Sequence, residues 1–440
     1  MKLIYKTFLL IVMLSSVAFA TDYKPAERNA VEFIERGGLP NFFQKARDGK
    51  EITVVYFGGS ITAQRGWRLQ SEAYFKKHFP KATFKAVNSA IGGTGSLLGT
   101  FRCQRDVIAH KPDLVFIEFA VNDSGQKPQN IRNTMEGIIR QIWKANPKTD
   151  ICFVYTITDN PRNFEPMKNG KMYESETVME DIADHYKIPS INFGVKIVEL
   201  EKANKLVMKA AGGVMTAVSG DSLNDDTIMT KDKQGRIIFA KDGVHPYPST
   251  GHILYTRTLV KSFEKMENSR HKKTHKLPTA LSPDNYEKSV RINSDDPRIK
   301  YIGNVSDAPD LKYYKQNIDS LKCFGVNSSM KFKVKSKSLF VMHMMGTHGA
   351  LIDVYIDGKK HSSLRTFDGY CTYSRLQISK IFDLPEEKVR EVELRVSDKK
   401  LNKRKLLFER NHKHYDDNPN KYTSYEFKPA SIMFVGELVE

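Results

Sequence analysis

Short apolar runs alternate with longer amphipathic stretches from residue 53 to about residue 265. The apolar runs are rich in β-branched residues and predict strands at Thr53–Phe57, Thr83–Asn88, Leu114–Phe119, Ile151–Thr156 and Pro189–Asn192. The amphipathic stretches predict helices at Trp67–His78, Asn130–Ala145, Glu174–Tyr186 and Ser249–Lys265. Because strands that alternate with helices form a parallel sheet covered on both faces, the pattern predicts a three-layer α/β domain.

This rhythm breaks between about Lys205 and Lys241. Glycines and an Asn224-Asp225-Asp226 turn replace the apolar and amphipathic segments there. The segment is therefore predicted to be an insertion in the α/β domain. A loop that shapes substrate access and a passive surface excursion both fit it.

The pattern changes again after Glu267. A polar, basic stretch and two X-Pro pairs predict a linker over residues 268–284. Beyond it, apolar and polar residues alternate with a period of two, which predicts strands at Met330–Val334, Ser338–Met344, Ala350–Ile356, Arg375–Ser379 and Glu391–Val396. With turn signals such as Asp357-Gly358 between them, these strands predict an antiparallel β-sandwich over residues 285–440, after an α/β domain over residues 21–267.

Residues 1–20 have the pattern of a secretory signal peptide. Lys2 and Lys6 precede the apolar run Phe8–Leu14, and Ala18-Phe19-Ala20 is a small-x-small cleavage site. The apolar run is too short to span a bilayer, and no later segment has a transmembrane pattern. The sequence therefore predicts export to the periplasm or the extracellular space, with no integral membrane segment.

The composition adds a strong positive charge, with a formal net charge of +18 at pH 7. Such a surface attracts polyanions. For an exported protein without an Arg/aromatic nucleic-acid module, acidic polysaccharide or an anionic envelope is the better expectation, and nucleic acid is not expected. Simple non-specific attraction accounts for the charge equally well.

The four cysteines are too few for a disulfide scaffold. Cys152 lies in an apolar run and is predicted to be a buried thiol. Cys323 and Cys371 are available to form a disulfide in an oxidising compartment, which leaves their pairing open.

Candidate chemistry follows three of the predicted strands. Gly58-Gly59-Ser60 ends the first strand, Gly92-Gly93 comes after the second, and Asn122 comes after the third. The carboxyl ends of parallel strands are where open α/β sheets place their sites, so Ser60 would be exposed there and the glycine N–H and asparagine amide could hydrogen-bond an oxyanion. Taken singly, each segment is equally an ordinary βα turn.

Asp242 and His245 supply the groups that a serine nucleophile needs. An imidazole must take the hydroxyl proton, and a carboxylate must orient the imidazole. Three residues of separation across a glycine-containing turn can place both side chains on one side of a loop. Alone, an Asp-x-x-His pair is also compatible with a structural turn or part of a metal site.

Together, these segments resemble the SGNH hydrolases, also called GDSL esterases and lipases, whose four blocks supply Ser, Gly, Asn and His in this chain order. The resemblance covers about residues 50–267. It implies that Ser60, His245 and Asp242 form the catalytic triad. It also implies that the N–H groups of Ser60 and Gly93 and the amide of Asn122 form the oxyanion hole, with no metal or other cofactor.

The first block differs from the family pattern at one residue, and the family's literal pattern occurs at another place in the chain. Gly59 stands where the family usually has Asp, which is interpreted as a subgroup trait. The literal string Gly-Asp-Ser-Leu occurs instead at residues 220–223, but Ser222 follows no credible strand and lacks the downstream Gly and Asn blocks. Ser222 is therefore not expected to be the nucleophile.

Exported SGNH proteins with an appended β-sandwich are often carbohydrate esterases, so the resemblance implies an esterase that removes acyl groups, O-acetyl above all, from a polysaccharide or oligosaccharide. The positive charge of the chain makes an acidic glycan a candidate substrate. Trp67, Arg68 and Arg102 are candidate substrate-binding residues. The alternative is ordinary helix packing for Trp67 and a solvated position on a helix for Arg102. Other functions remain open: a lipase or lysophospholipase, a glycan O-acetyltransferase, and a non-catalytic glycan-binding protein. The acyl group, the glycan, the role of the sandwich and the oligomeric state are not specified by the sequence.

Overall fold

The computed structural model describes residues 23–213, 229–268, 274–309 and 318–439. The predicted signal peptide, the Gly-Asp-Ser-Leu string with Ser222, and part of the predicted linker lie outside these ranges. Within the described ranges, no helix is both long enough and apolar enough to cross a membrane.

A six-stranded sheet forms the centre of the first half of the chain. Its strands are β1 (Phe33–Ile34), β2 (Glu51–Gly58), β3 (Thr83–Asn88), β4 (Leu114–Glu118), β5 (Asp150–Tyr155) and β6 (Ser190–Asn192). They lie in the order β1-β6-β5-β4-β2-β3, and all pairs are parallel except β1 with β6. All five predicted strands are present, whereas the two-residue edge strand β1 was not predicted.

Helices connect the strands and cover both faces of the sheet. They are α1 (Pro40–Arg47), α2 (Ser60–Ala63), α3 (Trp67–His78), α4 (Ser96–Asp106), α5 (Ala120–Asp123), α6 (Pro128–Ala145), α7 (Pro161–Lys168), α8 (Glu174–Tyr186), α9 (Phe193–Lys202) and α10 (Gly251–Glu267). Neighbouring residues of β2 show the two faces, since Tyr56 packs against Trp67 of α3 and Phe57 lies under Arg102 of α4. The predicted three-layer α/β fold is confirmed.

The predicted insertion between about Lys205 and Lys241 contains a small two-stranded sheet. β7 (Leu206–Lys209) and β8 (Ile237–Ala240) pair in parallel, and residues 214–228 between them lie outside the described ranges. The end of β8 is bridged to Pro246, next to the predicted catalytic histidine. The segment therefore adjoins the loop that carries Asp242 and His245.

The second half of the chain is antiparallel and almost entirely β. Its strands are β9 (Ser289–Asn293), β10 (Lys300–Ile302), β11 (Val305–Asp307), β12 (Lys322–Gly325), β13 (Ser329–Met345), β14 (Leu351–Ile356), β15 (Lys359–Arg365), β16 (Arg375–Val396) and β17 (Glu426–Val439). Two short helices, α11 (Lys403–Leu406) and α12 (His412–Asp417), precede β17. The predicted antiparallel all-β fold is confirmed, including the turn at Asp357-Gly358, where both residues have positive φ.

Two pairs of predicted strands are single long strands in the structure. Met330–Val334 and Ser338–Met344 both belong to β13, and Arg375–Ser379 and Glu391–Val396 both belong to β16. β13 and β16 pair along nearly their whole length, with register shifts near Ser336 and Leu339. These irregularities interrupt the period-two pattern without ending the strands, because a bulge adds a residue and leaves the pairing to resume beyond it.

The second half of β13 joins the two parts of the molecule. We call the antiparallel part of the chain, from β9 to β17, the β-domain. Leu339 and Val341 face its core, whereas Phe340 and Met342 pack in a separate cluster with Leu98 and Phe101 of α4. This explains why the sequence changes from alternating to almost continuously apolar after Ser338, with His343 as the exception: the strand is buried on both faces there. The β-domain thus packs directly against the helix that follows the Gly92-Gly93 turn.

The described residues include all four cysteines, and no disulfide joins Cys323 to Cys371. Cys323 donates to Glu426 and Cys371 donates to Asp368, and the two belong to different apolar clusters. The pairing that an oxidising compartment would allow is therefore absent. Cys152 is fully buried, as predicted.

Candidate active site

Ser60 lies where β2 turns into α2. Gly59 is extended, with φ −93° and ψ −155°, and Ser60 is the first helical residue. Gly58 leaves no room for a side chain, because an added Cβ would lie 2.7 Å from the carbonyl oxygen of Glu118 in the adjacent strand β4. The two glycines thus let the chain turn sharply beside β4 and present the serine hydroxyl at the carboxyl edge of the sheet.

Asp242 and His245 meet Ser60 in one line of hydrogen bonds. His245 Nδ1 lies 2.7 Å from Asp242 Oδ2, and His245 Nε2 lies 2.8 Å from Ser60 Oγ. This geometry fits a tautomer in which Nδ1 donates to the carboxylate and Nε2 accepts from the serine hydroxyl. The two distances are those expected of a nucleophile, a base and an orienting acid.

The loop around Asp242 holds the histidine in place. Asp242 Oδ1 also accepts from the backbone N–H groups of Val244 and His245, at 2.9 and 2.8 Å. Partial burial opposes ionisation of Asp242, but these bonds and the bond from the imidazole outweigh it and lower the pKa to about 2. Asp242 therefore stays negative throughout the physiological pH range and can hold the imidazole of His245 in its orientation.

The predicted oxyanion residues lie near Ser60. A Cβ added to Gly92 would lie 3.5 Å from Ser60 Cβ, and the next residue, Gly93, has φ +71° and open space on its Cα. Asn122 lies against Gly59, the residue before Ser60, because a Cβ added to Gly59 would be 1.9 Å from Asn122 Oδ1. The structure thus brings Ser60, Gly93 and Asn122 together from three different βα turns.

The contact between Gly59 and Asn122 gives a physical reason why glycine replaces the Asp that is usual in the family's first block. Any side chain at position 59 would collide with Asn122, so the amide in its present position requires glycine there. The departure therefore has a structural counterpart at the candidate oxyanion site, where it lets the Asn122 amide approach the backbone beside Ser60.

Two buried carboxyl groups near the site were not identified from the sequence. Glu118, at the end of β4, accepts from Thr62 Oγ1 at 2.9 Å and from Thr156 Oγ1 at 3.0 Å. Asp123 accepts from the N–H of Ser96, and its Oδ2 has no hydrogen-bond partner among the described residues. A charged residue at the end of an otherwise apolar strand was the available signal for Glu118.

Burial sets the pKa values of these two groups. It raises the pKa of Glu118 to about 7, against the effect of the hydrogen bonds from the two threonines and from the Gly59 backbone. It also raises the pKa of Asp123 to about 6, against the bonds from Ser96. Glu118 thus ties the turn that carries the nucleophile to β4 and β5 through a group that titrates near neutral pH.

The three candidate substrate-binding residues are buried and do not line the cavity described below. The prediction that Trp67 and Arg102 contact substrate directly was wrong. Trp67 is fully buried, with Tyr56, Phe116 and Phe193 around its ring. Arg102 is 1% exposed; it pairs with Asp106 at 3.0 Å and donates to the backbone carbonyls of Ser89 and Gly58. Arg68 is also buried and does not line the cavity described next.

A cavity of about 740 Å³ lies beside the predicted oxyanion residues Gly93 and Asn122. The α/β half of the chain also contributes Gly92, Asp123 and α6 residues such as Asn130 to its lining. The β-domain contributes Phe340 and Met342 of β13, Ser374, and the β16 residues Arg375, Leu376, Gln377, Ile378 and Lys380. Neither half of the chain would form this cavity alone.

The residues that the structure describes contain no cluster of three or more His, Cys, Asp or Glu side chains that could hold a metal ion. The polar groups at the site are those of nucleophilic catalysis: a hydroxyl, an imidazole, a carboxylate and amide donors.

Comparisons with known proteins agree with this reading of the fold. Residues 56–247 match the GDSL-like lipase/acylhydrolase family. A crystal structure of a two-domain esterase active on acetylated mannans, co-crystallised with mannopentaose, is similar with a TM-score of 0.68 and 20% identity, over 93% of this chain and 98% of that one. A second structure of a two-domain esterase active on acetylated mannans gives a TM-score of 0.67 and 19% identity over the same shares.

At such identity, the two structures show a shared two-domain fold and no more. A search of curated protein sequences found no match. The family match spans the segments that carry Ser60, Gly93, Asn122 and His245. Over residues 56–247 the chain has the sequence of an SGNH hydrolase of the GDSL-like lipase/acylhydrolase family, and it is an ester-hydrolysing serine hydrolase.

Proposed function

We propose that the protein is an exported esterase that removes acyl groups, O-acetyl groups above all, from a carbohydrate. The observation that carries the chemistry is the hydrogen-bonded line from Asp242 through His245 to Ser60, beside donors from two further turns. Its residues act as nucleophile, base and orienting acid, and the reaction is acyl transfer through a covalent intermediate.

The proposed mechanism has two steps. As Ser60 Oγ attacks the ester carbonyl, His245 takes the hydroxyl proton and Asp242 stabilises the imidazolium. The oxyanion accepts hydrogen bonds from the N–H groups of Ser60 and Gly93 and from the Asn122 amide. His245 then gives its proton to the departing sugar oxygen, which leaves an acyl ester on Ser60. Water, deprotonated by His245, attacks this ester, releases the carboxylic acid and restores the serine.

Three observations favour a carbohydrate as substrate. The cavity has a volume of about 740 Å³ and is lined by polar groups from both halves of the chain, among them Asp123, Gln377 and Lys380. It is walled by a β-domain, and two structures with the same two-domain fold are esterases active on acetylated mannans. The predicted signal peptide would place the enzyme where polysaccharides are found.

Substitution of the serine tests the proposed chemistry. We expect Ser60→Ala to abolish hydrolysis of p-nitrophenyl acetate, whereas the control Ser222→Ala keeps nearly full activity. Asn122→Ala should lower kcat by roughly 10²- to 10³-fold without abolishing activity, because one donor of the oxyanion hole is lost. Activity that survives in Ser60→Ala, or equal losses in both serine variants, would refute the assignment.

A substrate screen tests the proposed specificity. Acetylated glucomannan and acetylated xylan should release acetate, whereas methyl-esterified pectin should release little methanol. Preferential hydrolysis of long-chain lipid esters would favour the lipase alternative instead. Transfer of acetyl groups to added oligosaccharide in preference to water would favour the O-acetyltransferase.

A further inference from the structure

An exposed aromatic cluster lies beside the cavity on the β-domain. Among the described residues, only three aromatic side chains of large size stand exposed: Tyr370 at 46%, Tyr373 at 57% and Phe408 at 43%. All three belong to one neighbourhood. Tyr370 and Phe408 meet edge to face with their ring centroids 4.7 Å apart, and the Arg375 guanidinium lies 5.7 Å from the Tyr370 ring and 6.0 Å from the Tyr373 ring.

Arg375 makes this cluster continuous with the cavity that Gly93 and Asn122 line. Together with the preceding Ser374, it lines the cavity wall. The Arg375 guanidinium donates a hydrogen bond to Asp368 at 2.5 Å, which holds the side chain in place. The arginine therefore connects the rings with the cavity. A ligand that leaves the cavity along the first residues of β16 would meet the rings next.

Tyr370 and Phe408 have close protein neighbours although they face solvent. Tyr370 N–H donates to Asp368 Oδ1 at 2.9 Å, and Phe408 packs so closely on Gly369 that an added Cβ would lie 2.7 Å from its ring. Cys371 and Leu407, next in the chain to Tyr370 and Phe408, belong to a small apolar cluster with Met345, Phe367 and Tyr422. Rings that are ordered before binding lose little entropy when a ligand stacks on them, and clustered exposed aromatic surface is a mark of a binding site.

We propose that Tyr370, Tyr373 and Phe408 form a stacking platform for the main chain of the glycan substrate, which holds sugar residues outside the cavity while an acylated residue reaches Ser60. The inference rests on the proposed function, since it takes the glycan as occupant. A flat, amphipathic ring with a polar edge fits a sugar, which has an apolar face and a polar rim. Arg375, Arg410 and the tyrosine hydroxyls border the platform with hydrogen-bonding groups.

Kinetics on two substrates test the platform. In Tyr373→Ala and Tyr370→Ala, KM for acetylated glucomannan should rise about fivefold to tenfold per ring, while kcat for p-nitrophenyl acetate stays unchanged. Tyr373→Phe, which keeps the ring, should retain most of the affinity. Val389→Ala is the matched control, since Val389 is an exposed apolar residue elsewhere on the β-domain. Unchanged KM for the polymer, or a loss on both substrates, would overturn the proposal.

A binding assay distinguishes failure of the proposed stacking platform from failure of the proposed esterase function. The Ser60→Ala protein should be retarded by glucomannan in affinity gel electrophoresis, and its Tyr373→Ala form should not. If the wild type hydrolyses no acetylated glycan but ring-dependent retardation remains, the platform stands and the proposed substrate fails. Absence of retardation in both forms would overturn the platform. Light scattering that shows a dimer dissociated by Tyr373→Ala would assign the rings to a second copy of the chain and would also overturn it.

Discussion

Gly59 separates the strand β2 from the nucleophile and lies in contact with Asn122. A side chain at this position must displace the Asn122 amide, because the first carbon would already lie 1.9 Å from Oδ1. We expect Gly59→Asp, which restores the residue usual in the family, to lower kcat by roughly 10²-fold, comparable with the loss of one oxyanion donor. Steady-state kinetics with p-nitrophenyl acetate measures this effect.

Two controls sharpen this prediction. Gly325→Ala should be silent, since its added Cβ meets only one atom, at an ordinary 3.6 Å. In the double variant with Asn122→Ala, Gly59→Asp should cost little more than Asn122→Ala alone, because both act on the same donor. Full activity in Gly59→Asp would show that Asn122 does not contribute from its present position.

Glu118 predicts a pH dependence of stability. Because burial raises its pKa from 4.5 to about 7, the folded protein favours the neutral acid. The group does not oppose folding below pH 4.5, and its cost grows as pH rises to about 7, where it reaches roughly 3 kcal/mol. The stability that is present at low pH is therefore lost as pH rises through this window.

Glu118→Gln removes this titration. The free energy of unfolding, measured by urea denaturation from pH 4.5 to 8, should fall less steeply with pH in the variant than in the wild type. Asp123, the other buried acid nearby, titrates in both proteins and so cancels in the comparison. Parallel stability profiles for the two proteins would contradict the assignment of Glu118 as a buried, neutral acid.

At the scale of elements, the loop that carries Asp242 and His245 is fixed by a glycine. Gly243 has φ +80°, and an added Cβ would lie 2.0 Å from Asp159 Oδ2. We expect Gly243→Ala to displace the loop and to reduce kcat at least tenfold, because the bond from His245 to Ser60 depends on its position. Gly235→Ala is a close control, with φ +79° but nothing within 4 Å.

The comparison isolates the contact with Asp159 from backbone strain. Both variants place alanine in the left-handed region, so both should lose a similar amount of stability from strain. Only Gly243→Ala should lose activity. Equal kinetic losses in the two variants would show that the loop does not position His245 through this contact.

The sequence predicted the α/β elements closely because each has its own periodicity and its own turn. Trp67–His78 and Glu174–Tyr186 have the predicted bounds in the structure. The long strands β13 and β16 were divided because register shifts interrupt the alternation that marks a strand. Local pattern therefore identified elements well and their continuity poorly.

The sequence likewise identified some residues of the candidate site and missed others. The ordered blocks marked Ser60, Gly93, Asn122 and the Asp242–His245 pair, and the structure brings these residues together. The contribution of the β-domain to the cavity was missed, because Arg375 and Lys380 reach the cavity only through packing of the β-domain against α4. Trp67 and Arg102 were misread because sequence proximity to Ser60 does not show which face of a helix a residue occupies.

At the scale of the whole molecule, the two halves share an apolar interface. Phe101 of α4 and Phe340 of β13 have their ring centroids 5.6 Å apart within a cluster drawn from both halves. Phe340→Ala should therefore destabilise the protein by about 3–5 kcal/mol and weaken activity on acetylated glycan more than on p-nitrophenyl acetate, because Phe340 also lines the cavity.

Calorimetry checks the interface directly. The wild type should unfold in one transition, because neither half can separate without exposing this cluster. Phe340→Ala should lower the unfolding temperature or split the transition. Two independent transitions in the wild type would contradict a shared core.

The central claim is that Ser60 carries the acyl group, and covalent labelling tests it most directly. The protein is treated with a fluorophosphonate, digested, and the labelled peptide is sequenced by mass spectrometry. The account predicts one label, on Ser60, that is lost in His245→Ala. A label on Ser222, or on any other serine, would contradict it.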